Sequence, residues 1–193
     1  MVRRMIVALA ALVLLLPLIG VSSCGVIEDG SDSEIGSEEL FAEFEKLIQR
    51  QSFDDVSLAI YYVNEDVLTL IGYTVEQLIR VAGSDEFTGR IIVFGNAIAE
   101  KMGSFDLISK KDLVPLDTSL YDVDARVYYI FRSAKDGKLL DVTIGGSPRN
   151  GVDTDVYCDF VNGRAVKENR LLFQIIVPFL TDDARRGLSS YLD

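Results

Sequence analysis

DVDARVYYIFRSAKDGKLLDVTI, residues 122–144, decides the fold. Val123, Ala125, Val127, Tyr129 and Phe131 alternate with Asp124, Arg126, Tyr128, Ile130 and Arg132, and a period of two defines a strand with one apolar and one mixed face. Asp136-Gly137 is a hairpin signal, so 138–144 is read as the returning strand. A second hairpin follows the same logic, with 156–161 and 164–167 joined by Asn162-Gly163. Two hairpins in succession predict an antiparallel sheet.

Upstream, 54–63 (DDVSLAIYYV) is apolar on both faces, which predicts an interior strand. Residues 90–94 (RIIVF) form another strand, and 67–73 is a further apolar run. Between these elements lie helix signals. Leu40, Phe41, Phe44, Leu47 and Ile48 make one apolar stripe on a helix over 37–51, with Ser37 as its cap. Thr74-x-x-Gln77 is a capping-box pattern opening a short helix that stops at Gly83. Asn96 caps a helix carrying Ile98, Met102, Phe105 and Ile108, with Gly103 as its weak point. The chain closes with an apolar segment over 171–180, broken at Pro178, and a last helix capped by Thr181. The predicted class is α+β: a mostly antiparallel sheet of about six or seven strands with helices packed on one face.

The N-terminus has a different character. Arg3 and Arg4 precede an uncharged apolar run over 5–21, and small residues then lead to Cys24. Basic start, apolar middle and small-residue cleavage site are the order of a signal peptide. The run is short for a membrane span and contains Pro17. Val21-Ser22-Ser23-Cys24 resembles the lipobox of bacterial lipoproteins. That resemblance implies cleavage before Cys24 and a diacylglycerol on its sulfur, anchoring the protein to a membrane. Residues 1–23 are thus read as a signal peptide and 24–36 as the lipidated cysteine with an acidic, flexible tether. Residues 37–193 are read as a single domain.

Composition narrows the chemistry. Loss of Arg3 and Arg4 leaves 17 basic side chains of 19 against 30 acidic ones, so the formal charge moves from −11 to −13. Such a surface repels nucleic acid. The chain has no histidine, which removes Ser-His and Cys-His nucleophiles and His-ligated zinc. With Cys24 lipidated, Cys158 has no partner for an internal disulfide; it is read as a core residue or as pairing with another chain. Neither a phosphate-cradling glycine loop nor an S-x-x-K pair occurs, and the acidic stretch after Cys24 lacks the spacing of an EF-hand. No cofactor or metal is expected. Carboxylates alone suffice for glycoside hydrolysis, but nothing in the sequence singles out two of the 30.

Two features are candidates for contact with a ligand. Residues 145–155 (GGSPRNGVDTD) form a long, Gly-rich connector between the hairpins, in which Arg149, Asp153 and Asp155 are the candidate binding residues. The pairs Tyr61-Tyr62 and Tyr128-Tyr129 invite reading as an aromatic cleft, but adjacent strand residues point to opposite faces, and core packing is the preferred account.

The segments DVSLAIYYVNEDVLTL (55–70), DARVYYIF (124–131) and FVNGRAVKEN (160–169) resemble uncharacterised surface lipoproteins of Gram-positive bacteria, a likeness that implies a compartment and no activity. Residues 56–70 also resemble the opening strand of GerMN-type domains of sporulation and germination; the rest of that pattern is missing, and no function is carried over. The expectation is a membrane-anchored, extracytoplasmic binding module, not an enzyme, whose partner is an envelope protein or a small ligand. A carboxylate-dependent hydrolase acting on an envelope substrate is the alternative.

Overall fold

The structure, a computed structural model, describes residues 30–65, 67, 72–116, 124–146 and 158–192. Six antiparallel strands form one open sheet: β1 (Val56–Val63), β2 (Thr88–Phe94), β3 (Asp124–Ser133), β4 (Gly137–Gly146), β5 (Cys158–Val161) and β6 (Arg164–Lys167). Their order across the sheet is β2-β1-β3-β4-β5-β6. β1 therefore lies between two strands, as its doubly apolar sequence requires.

The helices are α1 (Gly30–Ile48), α2 (Val75–Val81), α3 (Asn96–Ala99), α4 (Arg170–Gln174) and α5 (Asp182–Gly187). One face of the sheet, carrying Leu58, Ile60, Val127, Tyr129, Phe131, Leu140 and Val142, forms the main core with Leu40, Phe44 and Leu47 of α1. Ile98 of α3, Leu172 and Phe173 of α4, and Ala184 of α5 complete that layer. Their spacing on α1, every three to four residues, turns one stripe of the helix inward.

α2 is the exception to the one-sided layer. Its Leu78 packs with Val63, Ala125, Tyr128 and Ile130, on the opposite face. Ala125 belongs to that second cluster, although its parity in the sequence matches Val127. The register shifts between Ala125 and Val127, so Arg126 is an extra residue, and the bulge turns Ala125 over.

Turn chemistry explains both hairpins. Asn162 and Gly163 sit at φ +50° and +80°, the two left-handed positions of a tight two-residue turn. In the first hairpin Gly137, at φ +76°, closes a three-residue turn over 134–136, with a second register shift at Phe131/Arg132.

Two helices differ from the sequence reading. α1 begins at Gly30, so Ser37 lies inside the helix, and 30–36, read as the end of the tether, are helical. The helix expected from Asn96 lasts one turn, with Gly95 as its cap, and continues as a 3-10 segment (Met102–Leu107). Gly103 falls in that segment, where the poor helix propensity of glycine no longer matters. The strand expected from 156 is described from Cys158. The capping box of Thr74 and Gln77 and the Thr181 cap are present as expected.

A carboxyl pocket at one end of the sheet

Antiparallel register brings the start of β3, the end of β4, the start of β5 and the end of β6 to the same end of the sheet. Asp124 opposes Gly146, and Cys158 opposes Lys167. Alternation along β5 sends Cys158 and Phe160 to the face shared with Ala165 and Leu116, and sends Val161 to the main core. Asp159 follows Val161. It is carried inward beside α4 and is only 1% exposed.

The ladder between β4 and β5 consists of two Cα pairs, Val142–Val161 and Thr143–Phe160. Beyond them the Asp159 carboxylate replaces the backbone as acceptor. Gly145 N–H donates to Oδ1 at 3.4 Å, and Asn169 N–H donates to Oδ2 at 2.9 Å. Burial pushes the Asp159 pKa up to about 7; the two N–H donors oppose that rise, and the charge of Glu168 adds to it. Among the described residues no Lys or Arg forms an ion pair with Asp159.

Asn169 organises the junction. Its side-chain oxygen accepts from Leu171 N–H as the cap of α4, and its amide donates to Asp112 O at 2.7 Å. A cavity of about 240 Å³ opens here, with Asp159, Asn169, Phe173 and Tyr191 among its walls and Glu168 and Arg170 at its exposed rim. The Phe173 and Tyr191 rings stack at 5.2 Å with a tilt of 33°. Burial raises the Tyr191 pKa to about 12; Arg126 opposes the rise, while Asp124, Asp159 and Glu65 add to it. The C-terminal turn that carries Tyr191 is pinned by Glu65, which accepts from Ser189 Oγ at 2.5 Å and Ser190 N–H at 2.6 Å. Asp124 in turn accepts from Tyr73 N–H and from Arg126, whose other arm reaches Val67 O.

The opposite end of the sheet is built differently. Arg50 donates to both oxygens of Asp55, to Asp136 at 2.9 Å and to Ser52 O, joining the end of α1 to β1 and the first hairpin turn. The Ser133 hydroxyl donates to Asp55 at 2.5 Å; with Arg50, it holds the Asp55 pKa down to about 2. A groove of about 520 Å³ runs between α1 and the hairpins, but its charges are matched internally, as in Arg164–Glu39 at 2.6 Å.

The sequence-derived candidates Cys24, Arg149, Asp153 and Asp155 lie outside the described residues. Cys158 is buried. The tyrosine pairs divide as alternation demands. Tyr62 and Tyr129 pack with the main core, while Tyr61 and Tyr128 stack at 6.0 Å on the face beneath α2. Sequence reasoning missed Asp159, Asn169 and Tyr191. The available signal was the acid inside YCDFV, a charge where an interior strand wants none.

Among the described residues there is no group of three His, Cys, Asp or Glu side chains able to hold a metal ion, and no helix long and apolar enough to cross a membrane. The chain matches no protein-family model, no curated protein and no solved structure.

Proposed function

We propose that the protein is a lipid-anchored, extracytoplasmic binding module of a bacterial envelope, tethered through Cys24 and engaging its ligand at the Asp159 end of the sheet. The observation that carries the binding half is a preformed cavity whose wall includes a buried carboxyl that, among the described residues, no Lys or Arg pairs with. The anchoring half rests on the order Arg3-Arg4, apolar run, Val21-Ser22-Ser23-Cys24. Two or more acyl chains give a stable attachment, at about 0.8 kcal/mol per buried methylene. The connector residues Arg149, Asp153 and Asp155 remain the candidate binding residues that the sequence singles out.

Two experiments test it. Cells fed a fatty-acid analogue should label the wild-type protein and not Cys24→Ala; label on the variant sinks the anchor. Replacing Arg149, Asp153 and Asp155 together by alanine should leave the melting temperature nearly unchanged and weaken crosslinking to envelope partners; undiminished crosslinking removes the connector from the interface.

A carboxylate-dependent hydrolase is the second reading, favoured by an acid that ionises near neutrality with Glu168 on the same cavity. It requires glycan release from purified envelope that Asp159→Asn abolishes.

A further inference from the structure

The Asp159 carboxylate has four lone-pair directions and spends two of them on Gly145 and Asn169 N–H groups. A buried carboxylate without a cation is costly, and folded proteins normally pair it or keep it neutral. Here the neighbouring groups make matters worse. Glu168 lies on the cavity rim, and Tyr129 and Tyr191, from β3 and the C-terminal turn, present phenols that remain uncharged. Arg170 is at the exposed rim, and Arg126 is already bonded to Asp124 and Val67. The remaining wall is aromatic, formed by the Phe173–Tyr191 pair, and aromatic faces attract cations. An acid at the base and two stacked rings at the side, with Glu168 and Arg170 offsetting each other at the rim, are complementary to one ligand chemistry.

We infer that the cavity binds a small organic ammonium ion, whose positive nitrogen sits between Asp159 and the Tyr191 ring. This deepens the binding reading above and depends on it. A cation in that position favours the ionised form of Asp159, so binding expels a proton from the fraction of molecules that carry one. Affinity therefore rises with pH through the range where Asp159 titrates. Among the described residues no Lys or Arg pairs with Asp159, and the ligand supplies that charge in this reading.

The test is calorimetric titration of the full-length protein in detergent with choline, and separately with its uncharged isostere 3,3-dimethylbutan-1-ol. Choline should bind about tenfold more tightly at pH 8 than at pH 6, with proton release seen as a dependence on buffer ionisation heat, and the isostere should bind at least tenfold more weakly. Asp159→Asn should lose the pH dependence together with most of the affinity. Should that variant fail to fold by circular dichroism, Tyr191→Leu, at a partly exposed position, should weaken choline several-fold and keep the pH dependence. Equal binding of choline and the isostere would overturn the ammonium inference and leave the cavity as a binding site. Displacement of choline by potassium chloride at equal ionic strength to an inert control would likewise overturn it, in favour of a simple cation site. Absence of heat with either compound, while envelope crosslinking persists, would overturn it and leave the module's partner a protein.

Discussion

Asp159 and Asp55 ionise on opposite sides of the ordinary carboxylate value, and together they shape how stability depends on pH. The folded Asp159 holds its proton up to about pH 7, above its unfolded value near 4. Its contribution is thus fully present below about pH 4 and is lost as pH rises through 7. On linkage grounds that loss is on the order of 2–4 kcal/mol. The folded Asp55 titrates at about 2, so its contribution is present above about pH 4 and disappears as pH falls toward 2. Urea unfolding midpoints should therefore peak near pH 4 and fall between about pH 4 and 7. Asp159→Asn should flatten the alkaline arm and Asp55→Asn the acid arm; a midpoint unchanged from pH 5 to pH 8 in the wild type would contradict the burial of Asp159. At neutral residues, the buried Tyr129 hydroxyl donates to Leu172 O at 2.9 Å, tying β3 to α4. Tyr129→Phe should cost about 1–2 kcal/mol, because the carbonyl loses its donor inside the core.

At the scale of elements, the hairpins were legible because turn chemistry and alternation agree. Asn162-Gly163 sits where the two flanking strands need left-handed backbone, so Gly163→Ala should cost about 1 kcal/mol or more in chemical denaturation. The capping box of α2 was legible for the same reason: Thr74 and Gln77 bond each other's backbone. Thr74→Ala should lower stability by about 1 kcal/mol, a change that Thr74→Ser restores. What escaped the sequence is what depends on the third dimension. Alternation gave Ala125 the same face as Val127, and only the inserted Arg126, held by Asp124 and Val67, reverses it. The run from Asn96 read as one helix, since Ile98 and Phe105 both face the core, yet the chain tightens to a 3-10 turn at Met102. The pocket was hidden for a related reason. Asp159 comes from β5, Phe173 from α4 and Tyr191 from the C-terminal turn, and no local pattern records their meeting.

Across the whole molecule, one core spans both halves of the sheet, so unfolding is expected to be a single cooperative transition. Phe131 sits at its centre, fully buried and edge-on to Phe105 at 5.4 Å. Phe131→Ala should destabilise by about 3–5 kcal/mol in urea titration, whereas Phe94→Ser, on the outer strand and 65% exposed, should change stability by no more than about 0.5 kcal/mol. The two margins of the sheet are not equivalent. Beyond β6, Lys167 N–H donates to Val114 O and Leu116 N–H to Ala165 O, and Pro115 sits between the two. A proline there turns no amide outward, so that margin offers an incoming strand no donor at its centre. On the other margin Gly83 N–H meets Thr88 O at the start of β2, and among the described residues no further strand pairs with it. At Pro115, then, the described margin beyond β6 lacks the donor with which an incoming strand would begin to pair.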